Sequence, residues 1–272
     1  MDLDLPDGRT VRVHDSGSDG LPVFWLHGSP QTGDLLAPLL AVPGVRLLSY
    51  DRPGYGGSTR LPGRSVVSAA ADVAAVADAL GLDRFAVAGH SGGGPHSLAC
   101  GASLPDRVIA VAALSSPAPF AAEGLDWFAG MASAGEAELR AAVAGQVVLE
   151  KHLATADFDP DVFTPADLAA LAGRWATLGD NSVAAMPAGF GGLVDDDLAL
   201  VAPWGFDPAD IAVPTLFVHG VRDRMVPSEH GEWLANRCRP SSELWLSPED
   251  GHVSVLDRAV EALVWLACAP RD

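Results

Sequence analysis

Phe85-Ala86-Val87-Ala88-Gly89-His90-Ser91-Gly92-Gly93-Gly94-Pro95 is the stretch on which the fold turns. An apolar run stops at a turn with glycine two residues before and two after a serine, and an alanine-bearing helical pattern from Ser97 to Ala102 follows. This is the strand–turn–helix setting in which the serine of a G-x-S-x-G sequence is lifted above a sheet. So sharp a turn brings backbone close to positions 89 and 93, where side chains would clash. The Ser91 hydroxyl is then exposed at the sheet end, and the N–H of Gly92 points into the same space. The motif is weak alone. With 29 glycines among 272 residues, chance supplies it in roughly one such chain in five, so the flanking sequence has to decide.

Outward from the turn, buried strands alternate with helices. Val23-Phe24-Trp25-Leu26 and Val45 to Tyr50 are near-continuous apolar runs, the mark of strands covered on both faces. The first ends at His27-Gly28-Ser29-Pro30, the second at the glycine-rich loop Asp51-Arg52-Pro53-Gly54-Tyr55-Gly56-Gly57-Ser58. Val66, Ala69, Val73, Val76, Ala77 and Leu80 keep helical spacing, with Gly81 where a C-cap belongs. Residues 3–15 alternate and turn at Pro6-Asp7-Gly8, which predicts an antiparallel hairpin at a sheet edge. Val108 to Leu114 is a further strand. Together these elements predict an α/β fold with a doubly wound, mostly parallel sheet.

After Ser115-Ser116-Pro117 the pattern changes. Residues 117–206 carry alanine-rich helical patterns with no convincing buried strand, and divide the core into an N-terminal part, 1–116, and a C-terminal part, 207–272. A helical insertion after the strand ending near Leu114 is read as a cap over the C-terminal edge of the sheet, where open α/β sheets bind ligands. Trp127, Phe128, Met131, Phe163, Trp175, Met186 and Phe190 are expected mainly in the cap's own core, some facing the cleft, and Asp195-Asp196-Asp197 in a solvated cap loop. The alternation resumes at Thr215-Leu216-Phe217-Val218, which leads into a loop bearing Asp223. A last strand, Glu243 to Leu246, precedes Asp250-Gly251-His252, and an amphipathic helix on Val255, Ala259, Ala262, Leu263 and Leu266 follows.

The net charge of −18, from 17 basic and 35 acidic residues, argues against a nucleic-acid partner and against anionic membrane surfaces. Lys151 is the one lysine. Cys100, Cys238 and Cys268 are too few and scattered for a disulfide framework or a metal site, and read as reduced packing residues. The acidic start Met1-Asp2-Leu3-Asp4 lacks a basic leader, and no stretch reaches transmembrane length without charge or proline. The expectation is a soluble cytoplasmic protein acting on a small molecule.

Ser91, Asp223 and His252 thus fall at the ends of three strands, in the order Ser…Asp…His. With the His27-Gly28-Ser29-Pro30 loop, the Asp51–Ser58 loop and the Pro227 that follows Asp223, the chain resembles the α/β-hydrolase superfamily, in its capped esterase-like and iminopeptidase-like branch, over nearly its whole length. The resemblance implies a nucleophile at Ser91, a base at His252 that accepts its proton, and a carboxylate at Asp223 that holds the imidazole. It also implies an oxyanion hole made by the backbone N–H groups of Ser29 and Gly92. It implies no metal and no nucleotide cofactor.

Rivals exist for each role. His14, His27, His90, His96, His152, His219 and His230 compete with His252, but only His252 follows a strand beyond the acid and precedes the last helix. Asp250 and the Asp195–Asp197 run compete with Asp223. His27 and His90 read as packing or loop-bracing residues, Asp51 and Arg52 as braces beside the oxyanion loop, and His96 as a helix residue near the turn. Serine at 91 argues against haloalkane dehalogenase or epoxide hydrolase chemistry, since those relatives use a carboxylate nucleophile. Ser29, where iminopeptidase-like relatives have a second glycine, argues against peptidase activity, which also needs a cap carboxylate for the substrate's amino group; spacing does not assign Glu123, Glu136 or Glu138 to it. The expectation is a serine hydrolase cleaving a carboxylic ester or lactone of small to medium hydrophobic character. C–C, amide or N-terminal proline hydrolysis, perhydrolysis, and a small-molecule receptor on the same scaffold are the alternatives.

Overall fold

The computed structural model describes residues 1–187, 189–238 and 242–269. Eight strands form one sheet: β1 Asp2–Asp4, β2 Thr10–Asp15, β3 Leu21–Leu26, β4 Val45–Tyr50, β5 Phe85–His90, β6 Val108–Leu114, β7 Thr215–Gly220 and β8 Ser242–Ser247. Their spatial order is β1-β2-β4-β3-β5-β6-β7-β8. The expected hairpin is present as the antiparallel pair β1–β2, β2 pairs antiparallel with β4, and every later pairing is parallel. Helices α1 Ala37–Leu40, α2 Ser68–Ala79, α3 Gly93–Ser103, α9 Ser228–Arg237 and α10 Ala259–Ala267 cover the sheet, while α4 Ser133–Val143, α5 Gln146–Leu153, α6 Pro165–Ala172, α7 Thr177–Ala185 and α8 Gly191–Val201 lie between β6 and β7.

The central strands are apolar throughout because both faces are covered, yet the two-residue period persists within them. In β5, Val87 enters a core with Leu98, Val111 and Phe217, whereas Ala86 and Ala88 enter a second core with Ala112, Leu216 and Leu263. Strand order reverses between β3 and β5, which are neighbours in register from Val23–Ala86 to Leu26–Gly89. Beyond the carboxyl ends of these two strands lies the switch-point crevice where such sheets bind ligands. Both the His27–Pro30 loop and Ser91 emerge there.

Two expectations need correction. The core formed by α4, α5 and α8 is aliphatic, built on Ala141, Ala142, Leu149, Leu153, Leu193 and Val194. Trp175 is instead buried in the sheet's second core, and Phe190 is 41% exposed. Nor are all three cysteines packing residues. Cys100 and Cys238 are buried, but Cys268 is exposed, at the C-cap of α10. Among the described residues, no helix is long and apolar enough to cross a membrane.

Candidate active site

Ser91 closes β5 with a left-handed backbone, φ 55°. For a residue with a side chain this costs about 1–3 kcal/mol, and the surroundings hold it in place. The Ser91 N–H donates to the Leu114 carbonyl at 2.9 Å, and the Gly94 N–H donates to the Ser91 carbonyl at 2.8 Å. The flanking glycines are required sterically: a Cβ at Gly89 would overlap the Gly93 carbonyl, and one at Gly93 would overlap the Leu26 carbonyl. Across the switch point, Gly28 approaches the Ser91 side chain, its own Cβ position lying 3.4 Å from the Ser91 Cβ. A Cβ on Gly92 would sit 2.6 Å from the Ser29 Oγ and 3.6 Å from the Ser29 nitrogen. The structure therefore brings Ser29, Ser91 and Gly92 together. The Ser29–Pro30 peptide bond is cis.

His252 and Asp223 meet from adjacent strand ends. A Cβ at Gly220 would overlap the Gly251 carbonyl, so glycine lets the loop after β8 lie against the end of β7, where the Arg222 N–H donates to the Asp250 carbonyl at 2.9 Å. The His252 Nδ1–H donates to Asp223 Oδ2 at 2.8 Å, while Asp223 Oδ1 accepts the N–H groups of Met225 and Val226, each at 2.9 Å. Burial pushes the His252 pKa down and the Asp223 pKa up, but their attraction outweighs both, leaving the imidazole above its usual range and the carboxylate below it. Asp250, the sequence rival, is not the partner. His90 links this pair to the serine strand, its Nε2–H donating to the His252 carbonyl at 2.9 Å with the rings 4.8 Å apart. Burial, then the nearby His252, push the His90 pKa down to about 3. It stays neutral, as a bracing residue should.

A family model for the alpha/beta hydrolase fold matches residues 22–259. The chain belongs to the alpha/beta hydrolase fold family. Among its relatives, the 2-hydroxy-6-oxo-6-phenylhexa-2,4-dienoate hydrolase of Burkholderia cepacia is 27% identical over 89% of this chain and 84% of that protein. Epoxide hydrolase A of Mycobacterium tuberculosis is 35% identical over 41% of this chain, and the match spans only 37% of that protein. Among solved structures, the enol-lactonase of Burkholderia xenovorans LB400 superposes with a TM-score of 0.72 at 20% identity, covering 98% of this chain and 99% of that one.

Within this alpha/beta hydrolase, one feature that sequence reasoning missed is Asp196. The run Asp195-Asp196-Asp197 lies within α8, and its residues are 3%, 0% and 3% exposed. Asp196 Oδ2 accepts the Ser29 hydroxyl at 2.5 Å, the Tyr55 hydroxyl at 2.8 Å and an Arg52 N–H at 2.7 Å, and Arg64 pairs with Oδ1 at 2.6 Å. Arg52 also donates to the Ser29 Oγ at 2.8 Å, to the Gly28 carbonyl at 3.0 Å and, closely, to the His27 carbonyl. The Arg52 N–H in turn donates to His27 Nε2 at 3.0 Å, so the Nδ1–H of that neutral ring donates to the Gly28 carbonyl at 2.7 Å. His96, expected near the turn, is buried beside the same carboxylate at 3.9 Å, its Nδ1–H donating to the Gly92 carbonyl at 2.7 Å. Asp51 braces differently, accepting the N–H groups of Gly33 and Gly57, each at 2.7 Å. A helical clue was available: three consecutive helical residues sweep about 200°, too wide an arc for one solvent face.

Asp195 pairs with Arg60 at 2.7 Å, but Asp197 meets Glu138 of α4. Burial pushes both carboxyls above their usual range, that of Asp197 strongly, with the charges of Glu138 and Asp196 adding to it. Their contribution to stability is thus full below the unfolded values of 3.8 and 4.5 and is lost as pH rises through the raised folded values. Glu138→Gln should therefore raise the Tm at pH 8 more than at pH 5. Equal shifts in thermal unfolding at the two pH values would refute a raised pKa for this pair. Among the described residues, no group of three or more histidine, cysteine or carboxylate side chains is arranged to hold a metal ion.

Proposed function

We propose that this enzyme is a serine hydrolase that cleaves a carboxylic ester or lactone of small to medium hydrophobic character, with Ser91, His252 and Asp223 as its triad. The observation that carries the reading is the 2.8 Å bond from His252 Nδ1 to Asp223, beside a serine held in a left-handed turn. With Nδ1 tied to the carboxylate, Nε2 is the nitrogen that takes a proton. Ser91 Oγ attacks the acyl carbon as its proton passes to His252. The imidazolium then protonates the leaving alkoxide, and the acyl group remains on Ser91. Water, deprotonated by His252, attacks the acyl-enzyme and releases the acid. The Ser29 and Gly92 N–H groups hold the oxyanion of each tetrahedral intermediate, and such a donor is worth about 3 kcal/mol. That magnitude gives the Arg52–Asp196 brace on Ser29 its purpose. The insertion 117–206 forms the cap.

Hydrolysis of p-nitrophenyl esters of increasing acyl length, together with γ- and δ-lactones, tests this. Turnover with an optimum at short to medium chains, and labelling of Ser91 by a fluorophosphonate, are the expected results. Inertness toward every ester and lactone would sink the ester reading. A second reading, C–C hydrolysis by the same three residues, draws support from the near-full-length similarity to the Burkholderia cepacia dienoate hydrolase. Preferential turnover of a 2-hydroxy-6-oxo-dienoate in the same panel would put it first.

A further inference from the structure

We propose that Asp167, a carboxylate supplied by the helical insertion, is a positioning residue for His252 that holds its loop and places a second negative charge near the ring. The inference rests on the reading of His252 as the base.

Asp167 is the third residue of α6 and is 0% exposed. One of its oxygens does what a residue at this point of a helix commonly does. Oδ2 accepts the Thr164 N–H and hydroxyl, each at 2.9 Å, and the Thr164 Oγ accepts the Asp167 N–H at 3.2 Å, closing a capping box. Capping needs no more than that. Yet Oδ1 accepts three further donors from a segment more than eighty residues away: the N–H groups of Val253 and Ser254, each at 2.8 Å, and the Ser254 hydroxyl at 3.0 Å. The Ser254 Oγ also accepts the Gly251 N–H at 2.8 Å. Both chain neighbours of His252 are therefore tied to this carboxylate, directly on one side and through Ser254 on the other. Position 251 is shaped for it, because a Cβ there would overlap Asp167 Oδ2.

Five donors keep the carboxylate charged despite burial, which alone would push its pKa up; the net shift is downward. The groups facing His252 are Asp223 from the loop after β7, His90 from β5 and Asp167 from α6; His219 of β7 lies 3.6 Å from Asp223. His90 and His219 are neutral, their pKa values lowered by burial. Asp167 is therefore the second negative charge on an imidazole that becomes cationic during the reaction. It also makes the cap part of the machinery rather than a cover for it.

A base must be neutral to act, so kcat/KM falls as pH drops through the His252 pKa. Loss of a nearby negative charge lowers that pKa, and the acid limb moves to lower pH. Asp167→Asn and Asp167→Ala are compared with wild type by pH profiles of kcat/KM on a p-nitrophenyl ester, with active sites counted from the acyl-enzyme burst. For Asp167→Asn we expect an acid limb lower by about half a pH unit. For Asp167→Ala we expect, in addition, a fall in kcat per active site on the order of a hundredfold with KM little changed. An acid limb that stays at its wild-type position overturns the proposal, whatever happens to kcat. Should Asp167→Ala not fold, Asp167→Asn carries the test. NMR titration of the His252 ring in wild type and Asp167→Asn needs no turnover. An inert wild type with a lowered His252 pKa in Asp167→Asn would defeat the ester reading while leaving this inference standing, and an unchanged pKa would defeat the inference alone.

Discussion

Replacing Ser91 with alanine is expected to lower kcat on p-nitrophenyl esters at least about a thousandfold while leaving the protein folded. The size follows from the way a triad acts. If Ser91 is the nucleophile, as proposed, its removal closes the acyl-enzyme route altogether, and the remaining rate comes from binding and from the proposed oxyanion hole. Folding should survive because alanine keeps the Cβ, so the turn at φ 55° bears similar strain. The hydrogen bonds that hold the turn run through the backbone, from Ser91 N to the Leu114 carbonyl and from Gly94 N to the Ser91 carbonyl. A Tm close to that of the wild type beside the collapse in kcat is the expected pair of results. Retention of more than a tenth of the activity would show that another group attacks the acyl carbon.

The second large effect is on stability. Asp196→Ala is expected to destabilise the fold by about 3–5 kcal/mol, as breaking a buried ion pair from one side does. Arg52 and Arg64 are 1% and 8% exposed, and the substitution would leave both cations buried beside an empty site. Burial alone would push the Asp196 pKa up, but Arg52 and Arg64 hold it well below the usual carboxylate range. The charge is therefore present at neutral pH. The Tyr55 and Ser29 hydroxyls would lose their acceptor as well. A fall in Tm on the order of 10 °C follows for a domain of this size. On the proposed reading the folded fraction should also lose activity, because the Ser29 hydroxyl loses the Asp196 oxygen that holds it. Urea unfolding, with kcat measured per active site, checks both arms. A loss of stability under 1 kcal/mol would mean that Arg52 and Arg64 find other partners, and the Asp196 brace would then be redundant.

Much of this was legible along the chain because the signals were local. Glycines at 89 and 93, apolar runs ending at His27, Tyr50 and Leu114, and the order Ser91, Asp223, His252 each reflect a constraint acting within a few residues. Strand continuity reflects two-faced burial, and the glycines answer to clashes with the Gly93 and Leu26 carbonyls. Asp195–Asp197 failed for the opposite reason. A run of acids reads as solvated when its partners are unknown, and Arg52, Arg60 and Arg64 lie more than 130 residues upstream. Asp167 left even less trace, since its capping role is local but its hold on residues 253 and 254 is not.

By itself the sequence determined the element order, the parallel sheet and the three candidate residues, because steric and hydrophobic periodicity act over one turn or one strand. Only the tertiary structure decided which carboxylate meets the imidazole, which helix braces the Ser29 loop and which holds the His252 loop. A charged side chain is stable in a core only where distant segments converge to supply its donors. That convergence is a property of the folded chain, and spacing along the sequence does not record it.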